Sequence, residues 1–341
     1  MAEQQARWIS EADVVSLMAL PDAIEALERG LMAEAQGHAT NMVKTHVEWD
    51  GGSTLHAIGA TFPRDGFVGT KTWAHTEGGA TPLLILFDSH NGSLKAVIEA
   101  FALGQMRTAS ASGVATKWLS AADASEFAMI GTGKQALTQV AAVVAVRPIR
   151  RIRIFGRNRE RLDAFTERVR QEFGIPVVAA ANAAETCSGA HIVTVATRAT
   201  QPIITSAMLS RGAHINTIGA IVPSRAELAA DVLARSGKIV ADSVPQARKL
   251  SRELIEFLGD DSRAWERVES LASVVEKHQP RSPADDLTVF KSLGMGISDL
   301  ALGIEIYRQA LASNLGHPFP HPQKTAPRLR SSSKQNQTTG A

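Results

Sequence analysis

Apolar residues fall at two different spacings along the first third of the chain. Ala23, Ile24, Leu27, Leu31 and Met32 recur every three or four positions, which predicts a helix with one buried face. Pro21 suits its first turn and Gly37 its end. Ser10 with Asp13 sets up a capping-box opening for a shorter helix just before it. The spacing then shortens to strand-like alternation in "MVKTHVEW", "STLHAIGATFP", "FVGTKTWAH" and "PLLILFDSHNGSLKAVIEA". Turn signals "DGG", "PRDG" and "SHNG" separate these runs, so an antiparallel or mixed sheet of at least four strands is expected. "FALGQMRTASASGVATKWLS" returns to a helical pattern, and its small residues predict close packing.

From Phe127 the rhythm becomes strand, helix, strand, helix. "FAMI", "RIRIFG", "PVVAAA", "HIVTVAT", "HINTIGA" and "KIVAD" are short apolar runs, and "KQALTQVAAVVAV" and "RERLDAFTERVRQEFG" are helices between them. Such alternation predicts a parallel sheet covered on both faces. "LTVFKSLGMGISDLALGIEIYRQALA" reads as a loop running into a long helix. The expected division is a nucleotide-type unit at 122–242, flanked by one discontinuous domain at 1–121 and 243–327. The polar, aperiodic residues 328–341 read as a disordered tail.

Composition narrows the function classes. A net charge of +2 in 341 residues gives no electrostatic case for nucleic acid or an acidic membrane. No apolar run approaches the roughly 18 residues of a spanning helix. The opening lacks the basic-then-apolar order of a signal peptide, and a single cysteine, Cys187, fits a reducing compartment, so a cytoplasmic protein is expected. Cys187 reads as a packing residue, and "HPFPHP", with His317 and His321, as a surface turn; no metal site is expected.

The chemistry-bearing stretch is "MIGTGKQALTQ". Gly131, Gly133 and Ala136, with Thr132, Lys134 and Gln135 between them, follow an apolar strand and open a helix. Gly131 permits the tight turn, Gly133 lets a pyrophosphate approach, and a small residue suffices at Ala136. A Rossmann-type dinucleotide site is therefore expected. At the end of the second strand, "FGRNRE" carries Arg157, Asn158 and Arg159 where an NAD site usually has an acid. That favours NADP(H), with NAD(H) as the alternative.

These residues, with "VKTHV", "VGTKTW", "LFDSHNGSLKAVIEA", "MRTASASGVATKWL", "IGTGKQALTQ", "FGRNRERLDAF", "HINTIGA" and "VFKSLGMGISDLALG", resemble the ornithine cyclodeaminase/μ-crystallin family. The resemblance runs from about Met18 to Pro327. It implies an α/β fold, with a Rossmann-type domain inserted in an α+β substrate-binding and dimerisation domain, and a homodimer. It also implies NAD(P)(H) and a small imino or amino acid as ligands. Lys71 and Arg107 match the family's basic residues at the substrate carboxylate, and Lys44 a basic position that binds it or assists proton transfer. Thr108, Thr197 and Gly219 fall on the nicotinamide side, and Ser292 is placed with the cofactor-binding residues.

Two departures sharpen the expectation. Ile221 stands where cyclodeaminases of the family carry an Asp, and His56 where several members carry an arginine. An isoleucine cannot accept a proton or orient water, which counts against cyclodeamination. Hydride addition to a C=N bond asks less of the protein, so imine reduction is expected, with the reverse amino-acid oxidation included. A cyclic imine such as Δ1-pyrroline-2-carboxylate or Δ1-piperideine-2-carboxylate is the leading substrate, with Lys44 or His56 relaying the proton. The rivals are an ornithine cyclodeaminase-type lyase and a non-catalytic NADPH-binding protein.

Overall fold

Two sheets organise the chain, and the change from one to the other follows the change in hydrophobic rhythm. The computed structural model describes residues 5–329, so the expected tail lies, from residue 330 onward, outside the described residues. Strand β1 (Ala6–Ile9) precedes helices α1 (Glu11–Leu17) and α2 (Leu20–Ala35). The capping box of Ser10 and Asp13 is formed, and Ala23, Ile24, Leu27 and Leu31 are buried as the periodicity predicts.

Then come β2 (Thr40–Asn41), β3 (Thr45–Trp49), β4 (Ser53–Phe62), β5 (Phe67–Thr76), β6 (Gly79–Ala80), β7 (Leu83–Asp88) and β8 (Leu94–Glu99). They form a mixed sheet in which β1 runs parallel to β8 and the remaining pairs of these strands are antiparallel. Register sets the chemistry of one face: Ile58 and Leu84 flank Lys71, and His56 lies opposite Trp73. Directly paired residues point the same way, so these side chains share a surface. Helix α3 (Phe101–Leu119) leads out of this sheet.

The second sheet is wholly parallel. It is built from β9 (Glu126–Ile130), α4 (Ala136–Val146), β10 (Arg151–Phe155), α5 (Arg159–Phe173), β11 (Val177–Ala179), α6 (Ala183–Cys187), β12 (Ile192–Val195), β13 (His214–Thr217), α7 (Ala230–Arg235) and β14 (Ser236–Ala241). It continues with α8 (Val244–Leu250), α9 (Arg252–Leu258), β15 (Val268–Ser270), α10 (Leu271–Lys277) and β16 (Leu287–Lys291). Strand order is β11-β10-β9-β12-β13-β16-β14-β15, with the direction of winding reversing between β9 and β12. The sheet therefore does not stop at Asp242: the segment expected to belong with the chain termini contributes β15 and β16. "LTVFK", read as loop, is strand β16, and all five of its residues are buried. A strand covered on both faces shows no alternation, which is why its pattern gave no warning.

Helix α11 (Gly296–Ala312) closes the chain over the first sheet, and β17 (His317–Phe319) pairs antiparallel with β1. "HPFPHP" is thus partly an edge strand rather than a surface turn, and Pro318 is tolerated because an edge needs no further ladder bond. One apolar cluster joins Leu27 of α2, Leu302 of α11, Leu271 of α10 and Phe290 of β16, so the helices lie between the sheets. Among the described residues no helix is long and apolar enough to cross a membrane, and no group of three or more His, Cys, Asp or Glu is placed to hold a metal. Cys187 is buried, and burial pushes its thiol up to about 12.

Candidate active site

Lys71 on β5, Arg107 on α3 and Asp299 in the first turn of α11 meet between the sheet and the helices. Lys71 is 3% exposed and Asp299 fully buried. The Lys71 ammonium forms a short ion pair with Asp299 Oδ1, and Arg107 Nε lies 3.5 Å from the same oxygen. Asp299 Oδ2 is buried without a hydrogen-bond partner, and Arg107 forms no hydrogen bond among the described residues. Its guanidinium lies over the loop after β16, where a Cβ on Gly294 (φ +94°) would come 3.0 Å from Nη1. Asp242, at the end of β14, holds that loop by accepting from Ser292 Oγ (2.9 Å), Leu293 N (2.9 Å) and Gly294 N (2.8 Å).

The electrostatics are those of an anion site. Burial pulls Lys71 down to about 8, Asp299 opposes that shift, and Arg107 and Lys44 add to it. Burial and Arg107 also lower Lys44, against Asp242 and Asp299. Three cations thus share one neighbourhood with Asp299 and with an Asp242 whose oxygens are already committed to the loop. His56 stacks on Trp73 (4.7 Å between centroids), and Lys71 Nζ lies 5.2 Å over the same indole. Burial, then Lys44, His46 and His75, hold His56 down to about 4, so its imidazole is neutral at ordinary pH. Its Nε2 pairs with Thr54 Oγ1 (2.8 Å), and Nδ1 is buried without a partner.

A second buried cluster lies under the carboxyl ends of the parallel strands. Glu227 accepts from Thr197 N (2.7 Å) and Oγ1 (2.9 Å), Thr217 Oγ1 (2.8 Å), Gly219 N (2.9 Å) and Ala220 N (3.3 Å). Burial raises its pKa, and Lys291 and these bonds oppose the rise. Glu253 accepts from Glu227 N (2.6 Å) and Leu228 N (3.0 Å), and its other oxygen takes Lys291 Nζ at 2.6 Å. The loops after β12 and β13 are thereby fixed to one carboxylate.

The glycine loop lies between β9 and α4, beside the point where the winding reverses. Gly131 has φ +110°, and any Cβ there would collide with the Ala196 carbonyl, so this position requires glycine. The space where a Cβ on Gly133 would lie is open, and Ala136 is fully buried. Helix α4 has no side-chain cap and no acid in its first turn, which leaves its positive end free for a phosphate. The loop fits a dinucleotide. Lys134 is exposed and Gln135 half-buried. Arg157, Asn158 and Arg159 are exposed at the end of β10. Asn158 caps α5 through Arg161 N (2.8 Å), and Arg159 pairs with Asp163 (2.9 Å).

The structure brings Lys44, His56, Lys71 and Arg107 together, and sets Thr197 and Gly219 on the loops after β12 and β13. Three expected contacts have their hydroxyls engaged within the protein: Thr108 with Gly104 O (2.9 Å), Thr197 with Glu227 and Ser292 with Asp242. Ile221 is half-buried on the loop after β13. Sequence reasoning missed Asp299, Glu227, Glu253, Lys291 and Asp242. One signal existed for Asp299: it is a lone charge in the otherwise uncharged run "GMGISDLALG".

The family model described as ornithine cyclodeaminase/mu-crystallin matches residues 5–314. A Delta(1)-pyrroline-2-carboxylate reductase of Bacillus cereus is 31% identical over 236 residues, covering 69% of this chain and 72% of the relative. The structure of the Thermococcus litoralis Delta(1)-pyrroline-2-carboxylate reductase, in complex with NADH and L-proline, superposes with a TM-score of 0.85 at 26% identity; the match covers 91% of this chain and 99% of that one. An archaeal alanine dehydrogenase dimer with bound NAD gives 0.85 at 25% identity, covering 94% and 99%.

Proposed function

This chain belongs to the ornithine cyclodeaminase/mu-crystallin family, and we propose that it is an NAD(P)H-dependent reductase of small imino acids, working also in the reverse, amino-acid-oxidising direction. The observation that carries this reading is Arg107: a guanidinium none of whose nitrogens is hydrogen-bonded among the described residues, beside Lys71 and Lys44, with a nucleotide loop on the neighbouring sheet. An unspent fork next to two ammonium groups suits a carboxylate, which accepts two parallel bonds from it.

Reduced nicotinamide, when bound, supplies the hydride. Arg107 and Lys71 fix the carboxylate and so hold the imine carbon in one orientation. Lys44 delivers the proton to nitrogen, because burial and Arg107 make its ammonium readier to release one. His56 is neutral down to about 4 and is set aside as the acid; it stacks on Trp73 beside Lys71. Gly131 and the open end of α4 receive the pyrophosphate. Arg157 and Arg159, at a strand end that carries no acid before Glu160, favour NADP(H) over NAD(H).

The leading substrates are Δ1-pyrroline-2-carboxylate and Δ1-piperideine-2-carboxylate, relatives of this chain being reductases of the first. The working form is a homodimer: Met42, Val43, Val47, Trp49 and Leu55 are exposed around β3 and β4, and the archaeal relative is a dimer. A cytoplasmic setting accords with one buried, unreactive thiol. The test is oxidation of NADPH and of NADH against a panel of cyclic and linear imino acids. Turnover of cyclic imines with NADPH preferred is expected; release of ammonia from ornithine, with no turnover across the panel, would overturn the reading.

A further inference from the structure

The Lys71–Arg107–Asp299 cluster contains a feature that a purely structural ion pair lacks. A buried carboxylate serving stability alone has its acceptor sites filled, since each unfilled site costs solvation without return. Asp299 is fully buried, yet only Oδ1 is used, and it is shared by two cations from two other elements. Oδ2 has no hydrogen-bond partner, and Arg107 Nε meets Oδ1 as an ion pair only, without a hydrogen bond. Asp299 stands in the first turn of α11, and Asn41 Oδ1 accepts from Ile297 N (2.9 Å), tying down that end of the helix.

We propose that Asp299 is the positioning residue of the substrate clamp: it holds the Lys71 ammonium charged and in place, and tethers Arg107 loosely by Nε so that its terminal nitrogens face the substrate carboxylate. Asp299 acts through these cations, being fully buried with Oδ1 taken by both of them. The charged groups that act on Lys71 are Asp299 from α11, Arg107 from α3 and Lys44 from the segment before β3. Asp299 is the one anion among them, so its loss leaves two cations pressing on a buried ammonium.

The inference rests on the imino-acid reading for its kinetic test, and on ligand binding for a test independent of turnover. Asp299→Asn and Asp299→Glu are compared with the parent protein by the pH dependence of kcat/KM and by NADPH affinity. Binding of pyrrole-2-carboxylate, a planar carboxylate that cannot be reduced, is followed as quenching of bound NADPH fluorescence. Asp299→Asn is expected to move the basic limb of kcat/KM at least one pH unit lower, and to raise KM at least tenfold with a smaller change in kcat. It should weaken pyrrole-2-carboxylate by a similar factor, leave NADPH affinity within twofold, and be partly rescued by Asp299→Glu. An unmoved limb with unchanged carboxylate binding overturns the proposal. So does joint loss of NADPH and carboxylate binding in Asp299→Asn that Asp299→Glu fails to relieve. If the parent reduces no imino acid but binds pyrrole-2-carboxylate in an Asp299-dependent way, the catalytic reading fails and the positioning role stands.

Discussion

Two buried ion clusters, one on each sheet, show how differently charge is used in this molecule. Beneath the parallel strands, Glu227, Glu253 and Lys291 match donors to acceptors, with five bonds converging on Glu227. Over the mixed sheet, Lys71, Arg107 and Asp299 leave a carboxylate oxygen and a whole guanidinium without hydrogen bonds among the described residues. A completed network rigidifies the loops it ties together, whereas an incomplete one keeps its capacity for a ligand. Satisfaction of the polar atoms, more than burial or charge, separates the scaffold from the clamp.

Substitutions in the two clusters are therefore expected to fail in different ways. The largest effect is expected from Arg107→Ala, which removes two charge-assisted bonds to substrate; kcat/KM for the imino acid should fall on the order of 10³-fold with NADPH affinity kept. Glu227→Ala should instead destabilise the fold by about 3–5 kcal/mol, because Thr197, Thr217 and Gly219 lose a common buried partner. A lowered urea midpoint and weakened NADPH binding, measured by fluorescence, would mark it as scaffold; unchanged stability would erase the distinction between the clusters.

Smaller effects sharpen the clamp side. Burial pulls Lys71 down to about 8, so its share of carboxylate capture is present at lower pH and lost as pH rises through that value. The basic limb of kcat/KM should therefore bend near pH 8 and fall roughly tenfold per unit above it. Replacing Arg157 and Arg159 together by Ala should weaken NADPH by roughly tenfold and NADH hardly at all, by loss of charge-assisted contacts to the 2′-phosphate; equal weakening of both cofactors would remove the basis for the NADP(H) preference.

Much of this is legible in the sequence alone. Alternation revealed β5, and the three-to-four spacing revealed α2, because each buries one face; β3 was found as well, although all five of its residues are exposed. Strand β16 was misread because burial on both faces erases the period; α6 to α10, at seven residues or fewer, are too short to show one, and the equally short α1 was legible only by its capping box. The same division runs through the site. Lys71, Arg107 and Lys44 stand in short motifs that carry the family resemblance, and His56 at a position where several members carry an arginine. Asp299 pairs with a lysine 228 positions away, and Glu227 receives bonds from loops that only the folded sheet assembles. Tertiary counterions leave no spacing in the chain.

The most direct measurement is a single turnover with NADPH carrying deuterium on the transferable C4 position and Δ1-pyrroline-2-carboxylate as acceptor, followed by mass analysis of the product. One deuterium at Cα of the proline formed, with loss of this transfer in Arg107→Ala, is the predicted result. Proline formed from ornithine without added NAD(P)H, alongside no deuterium transfer to the imine, would contradict a reductase and point to a lyase instead.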